Sequence, residues 1–152
     1  MEPVVVVVDA YHPVIGRVVP YVIQRVIEYG KTASPELPEH LTASQVLMAL
    51  AKRDPTVMVL AFVDKTNWQV VGHLVATLDG TQDKKYVSIV QYRADGNIGE
   101  AGKKAVQQVE DWARGVGAEN IVLIAAGNQG DRWKERGFTP IRTVLRKEIA
   151  IQ

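Results

Sequence analysis

The sequence predicts an α/β (α+β) fold, a mixed and mostly antiparallel sheet flanked by helices, with elements in the order β-α-α-β-β-β-α-β-α-β. Three observations carry this. Residues 4–8 are five consecutive valines, a β-branched block that suits a sheet better than a helix. Three strand-like runs between residues 57 and 92 are joined by short turns, which antiparallel neighbours allow and parallel ones do not. Two stretches, residues 13–29 and 101–116, carry apolar side chains at helical spacing.

In order, the valine block is stopped by Asp9 and reads as a strand covered on both faces, central or near-central in the sheet. In the next stretch Val14, Val18, Val22, Val26 and Tyr29 share a helix face, Pro20 should kink or divide the helix, and Gly30 suits its end. Residues 31–40 carry Ser34-Pro35 and Leu37-Pro38, an extended connection. Thr42 with Gln45 is a capping-box pattern. It opens a second helix, with Val46, Leu47, Ala49 and Leu50 as its apolar face, that ends near Asp54-Pro55. Residues 57–63 form a buried strand, Lys65-Thr66-Asn67 a hairpin tip, and residues 69–78 a long strand in which Gly72 marks a bulge or a close approach. Asp79-Gly80 turns the chain into a strand over residues 86–92. The clearest helix follows, lined by Ala101, Ala105, Val106, Val109, Trp112, Ala113 and Val116 and ended by Gly117. Residues 121–124 are a short buried strand, 131–136 a brief helix and 141–151 a last strand.

With 152 residues and 47% apolar composition, the chain is expected to be a single domain over residues 1–152, with no linker or repeat. Its 18 basic and 17 acidic residues leave a net charge of +1, which supplies no global field for nucleic acid or an anionic membrane. The absence of cysteine excludes disulfides, thiol catalysis and thiolate zinc sites. The longest apolar run is too short to cross a bilayer and lacks a basic leader, so a cytoplasmic or assembly-bound protein, not one secreted through a signal peptide, is expected.

The segment from Gln91 to Gly102 leads from a strand end into a helix N-terminus, where backbone amides without intrahelical partners and the helix dipole favour phosphate oxygens. It matches neither a Walker loop nor the dinucleotide fingerprint. This turn resembles that of the GNAT superfamily, the acyl-CoA-dependent N-acetyltransferases. So do the strand meander, the helix Val106-Gln107-Gln108-Val109-Glu110-Asp111-Trp112-Ala113-Arg114, the strand at 121–124 and the run Trp133-Lys134-Glu135-Arg136-Gly137-Phe138. The family's turn reads Gln/Arg-x-x-Gly-x-Gly/Ala; here Gln91-x-x-Ala94-x-Gly96 is nearest, and a register through Gly96, Gly99 and Gly102 stays open. The resemblance implies acetyl-CoA as cofactor if the protein is active, held around Gln91, Arg93, Ala94, Gly96, Gly99 and Gly102. It also implies a tyrosine four residues ahead of the Gly-Phe pair, to protonate the leaving thiolate. Trp133 stands there instead, and an indole cannot act as that acid.

The ending, Arg142-Thr143-Val144-Leu145-Arg146-Lys147-Glu148-Ile149, resembles small GNAT-like proteins encoded among the structural genes of tailed bacteriophages. That implies a non-catalytic structural or interaction component of a virion, oligomeric, with portal or neck proteins as partners. An active N-acetyltransferase with a small-molecule amine acceptor is the alternative. Among other candidates, His12, His40 and His73 have no metal-ligand spacing, and His73 shares a strand face with Val71 and Val75 as a packed residue. Ser34, Ser44 and Ser88 lie in no nucleophile elbow. Asp79, Asp95 and Glu100 lie near strand ends or the turn and could serve as base, although any surface carboxylate would look the same. Residues 131–152 hold six basic and three acidic residues, so Arg132, Lys134 or Arg136 could meet a CoA phosphate, against the plainer reading of a solvated basic face. Nucleic acid is an unlikely partner, and Trp68 and Trp112 are expected to anchor the core.

Overall fold

The computed structural model describes residues 1–32, 41–125, 130–141, 145 and 147–149. Five strands form one sheet in the order β1 (Pro3–Val7), β2 (Val57–Asp64), β3 (Gln69–Gly80), β4 (Lys85–Ala94) and β5 (Asn120–Leu123). Neighbours from β1 to β4 are antiparallel, and β5 runs parallel to β4. Helices α1 (Val19–Thr32) and α2 (Ala43–Lys52) cover one face, and α3 (Glu100–Gly115) and α4 (Gly130–Glu135) the other. The expected connection at 31–40 and last strand at 141–151 fall largely outside the described residues.

The valine block forms an edge strand, not a central one, because among the described residues β1 pairs only with β2. Helices nevertheless cover it from both sides: Val4 and Val6 pack with the α1/α2 layer, Val5 with the α3 layer. A β-branched run thus reports coverage of its faces and says nothing about how many strands flank it. Pro20 divides its helix: a 3-10 turn at Ile15–Val18 precedes α1, and the proline sits in the first turn of α1, where an amide hydrogen is dispensable. Gly30 does not end α1, which runs to Thr32. The capping box of α2 is formed: Gln45 N donates to Thr42 Oγ1 at 3.2 Å and Thr42 N to Gln45 Oε1 at 2.8 Å.

Two bulges shape the sheet. Phe62 pairs with Gly72 but Val63 with Val70, so Val71 is the extra residue; it turns to the α3 layer while His73 turns to α1, and the two do not share a face as expected. Gly72 is a close approach, because a Cβ there would lie 2.5 Å from the Arg93 carbonyl oxygen and 2.9 Å from Ala94 Cα. Between β3 and β4, Val75 pairs with Gln91 but Ala76 with Ile89, leaving Val90 as the extra residue. Pairing of β4 with β5 stops at the same level, at Ile89 and Leu123. Beyond it, residues 91–94 of β4 have no partner in β5, which ends at Leu123.

Under α3 and α4 the core is Leu60, Phe62, Leu74, Ala76, Val87 and Ile89 against Ala105, Val106, Val109 and Trp133. Under α1 and α2 it is nearly all valine, with Val59, Val63 and Val75 against Val22, Val26 and Val46.

Candidate cofactor site at the end of β4

The glycine loop begins one residue after β4. Asp95 N donates to the Val71 carbonyl at 2.8 Å, and the carboxylate of Asp95 accepts both terminal nitrogens of Arg25, at 2.9 and 2.5 Å. Arg25 also donates to the Val70 carbonyl at 3.0 Å, so α1 clamps the start of the loop to β3. This pairing holds the Asp95 carboxyl below its ordinary range. Asp95 is therefore engaged as a strut, and Glu100 faces solvent beside Lys103. Asp79 accepts the Thr77 hydroxyl on β3, near the turn that leads into the start of β4.

Gly96 and Gly99 have φ of +65° and +50°, the left-handed conformation that lets the chain turn into α3. Gly99 N donates to Asn97 Oδ1 at 2.9 Å. Among the described residues nothing accepts from the amides of Gly96, Asn97 or Ile98. A Cβ built on Gly96 meets nothing within 4 Å, so a ligand has free approach there. Gly102 lies inside α3, buried, and a Cβ on it would come within 3.0 Å of Arg136 Nη2. The Arg136 guanidinium thus stands at the first turn of α3, 5.0 Å from the ring centre of Trp133 and 5.7 Å from that of Tyr92. A cation at a helix N-terminus opposes the dipole unless an anion joins them. The loop amides and Arg136 are hydrogen-bond donors at the start of α3, where an anion is favoured. Of the other two basic candidates, Arg132 is exposed and Lys134 lies 3.8 Å from Asp131.

The remaining sequence-predicted residues are distributed across the sheet. Ala94 is the last residue of β4, opposite Gly72, and lies before the turn. Arg93 is exposed on β4, while Gln91 is buried toward the α1/α2 layer. Gln91 Nε2 donates to the Leu41 carbonyl at 2.6 Å, which turns its Oε1 to His73 Nε2 at 2.9 Å. His73 is fully buried, with the Tyr29 ring edge-on at 5.8 Å, and burial pushes its pKa down. With Gln91 Oε1 facing it, Nε2 is the donor of this pair, while Nδ1 has no partner among the described residues.

Trp133 is 7% exposed and packs into the core under α3 and α4. Its ring meets Tyr92 at 5.0 Å and Phe138 at 5.3 Å, both edge to face, and Tyr92 meets Phe62 at 5.9 Å. Sequence reasoning missed Arg25 and the Gln91–His73 pair, which join residues far apart in the chain and leave no local signal. Trp68, expected in the core, is half exposed at the hairpin tip, whereas Trp112 packs against the core. Among the described residues no cluster of His, Asp or Glu could hold a metal, and no helix is long and apolar enough to cross a membrane.

No family model and no curated protein matches the sequence. Solved structures do. An acetyltransferase of Trypanosoma brucei, 12% identical, matches with a TM-score of 0.67 over 97% of this chain and 100% of that one. Glucosamine-6-phosphate N-acetyltransferase of Arabidopsis thaliana, 9% identical, gives 0.67 over 99% and 100%. A GNAT family acetyltransferase of Staphylococcus aureus, 13% identical, gives 0.57 over 98% and 100%. The chain has the fold of the GNAT acetyltransferases.

Proposed function

We propose that this protein is a GNAT-fold component whose acetyl-transfer chemistry is lost and whose role is to contact other protein subunits. Trp133 carries the reading. The position that the resemblance gives to a phenol holds an indole, which has no acidic proton in the working pH range and is wedged between Tyr92 and Phe138. Neither carboxylate at the loop is free to replace it: Asp95 is tied to Arg25, and Glu100 is exposed beside Lys103. Acetyl-CoA, if bound, would supply an activated thioester. The amides of Gly96, Asn97 and Ile98 with Arg136 would hold its phosphates, and the indole at position 133 would not return a proton to its thiolate. The resemblance of residues 142–149 suggests a phage virion, around its portal or neck, as the setting.

A working N-acetyltransferase is the second reading, favoured by the open loop amides and by Arg136 at the start of α3. Calorimetric titration with acetyl-CoA and with CoA separates the two, with Gly96→Glu as a control that blocks the loop. Because a side chain at Gly96 meets no neighbour, this variant should fold, at about 1 kcal/mol for the left-handed backbone. The structural reading expects no binding up to about millimolar, near −4 kcal/mol. Micromolar binding that the variant loses would favour the enzyme.

A further inference from the structure

On the α1 side of the sheet, a groove of about 680 Å³ runs between the first turns of α1 and the β2–β3 hairpin tip. That volume lies in the range of small-ligand and peptide-anchor sites. Tyr21 and Trp68 both line it and are 64% and 50% exposed, so two large aromatic side chains of one groove are left in water. Trp68 has φ of +59°, a conformation at which a bulky side chain costs of order 1 kcal/mol or more and which glycine or asparagine would adopt without strain. Neither the turn nor the core requires an indole there. The lining contains two arginines and no carboxylate. Arg25 is held by Asp95, whereas Arg17 is exposed and has no carboxylate within ion-pair distance among the described residues. Gln24, Asn67 and Gln69 add carboxamides, which pair with a peptide backbone as donor and acceptor at once.

We propose that this groove is a docking site for an extended acidic segment of a partner protein. An apolar side chain would sit between Tyr21 and Trp68, and a neighbouring Asp or Glu would meet Arg17. Aromatic and arginine side chains are the types that dominate interface energetics. The proposal deepens the interaction reading; Arg25 lines the groove and also holds Asp95, but the variants below leave it in place, so peptide binding and CoA binding are read separately.

The test is fluorescence anisotropy with two labelled peptides, acetyl-Asp-Leu-Phe-Glu-Asp-amide and its uncharged counterpart acetyl-Asn-Leu-Phe-Gln-Asn-amide. The acidic peptide is expected to bind at least tenfold more tightly than the neutral one, and more weakly in high salt. Arg17→Glu should remove that preference. Trp68→Gly should weaken binding of both peptides at least tenfold while raising the melting temperature, because it relieves the strained backbone. A stabilised protein that binds less separates a contact residue from a structural one. No binding below millimolar, equal affinity for the two peptides, or affinities that neither variant moves would each overturn the proposal.

Discussion

Under α1 and α2 the sheet presents valines around one buried polar pair, His73 with Gln91; under α3 and α4 it presents Leu60, Phe62, Leu74 and Tyr92 against Trp133 and Phe138. Pairing of β4 with β5 ends beside this second, aromatic face, where the ring of Trp133 packs against Tyr92 and Phe138. The imidazole in the sheet is on the opposite face, fixed through Gln91 to the Leu41 carbonyl at the start of α2. One fold therefore has a face whose buried polar groups hold helices in place and another closed by aromatic packing.

Removing volume from the aromatic face should have the largest effect. Phe62 is fully buried, so Phe62→Ala is expected to cost about 3–5 kcal/mol in urea denaturation; a loss under 1 kcal/mol would mean that this face is loosely packed. On the other face Gln91→Leu keeps most of the volume but strands the His73 and Leu41 partners, for an expected cost of about 1–3 kcal/mol. If that variant were neutral, the polar pair would be incidental to the α1/α2 layer.

The same pair gives a pH dependence of definite sign. Burial holds the His73 pKa below the ordinary value near 6.5, so in acid the unfolded chain takes up a proton that the folded one refuses. Stability is fully present above about pH 6.5 and falls as pH drops from there toward the depressed folded value. Arg25 and Arg93 act in the same direction. Asp54, Asp64 and Asp95, all held below their ordinary range by hydrogen bonds, contribute only as pH falls beneath about 4. Thermal melts between pH 8 and 5 should show the decline, and His73→Gln should flatten it; an unchanged slope would assign it to another group. The smallest expected effect is that of Asp95→Asn. Asp95 is 58% exposed, so losing its pairing with Arg25 should cost no more than about 1 kcal/mol while loosening the loop.

What the sequence revealed was local. The capping box at Thr42, the meander and the helix from Glu100 are each written in neighbouring residues, and so is the glycine turn. What it concealed was set by distant partners. Arg25 and Asp95 are 70 residues apart, and Gln91 reaches a carbonyl 50 residues away. The bulge at Val71 turned that residue off the face that strict alternation shares among Val71, His73 and Val75. The valine run was correctly read as covered on both faces but placed too centrally, since helices at a sheet edge bury valines as well as flanking strands do. At the candidate site, the tryptophan was legible as a substitution, but the stack with Tyr92 and Phe138 required the fold.

The most direct test is release of free thiol from acetyl-CoA in the presence of a panel of amines, comparing the native protein with Trp133→Tyr. The chain has no cysteine, so every thiol detected comes from CoA. The account predicts no release by the native protein above the uncatalysed rate, because nothing at position 133 can protonate the leaving group. Turnover by the native protein with any amine of the panel would contradict it.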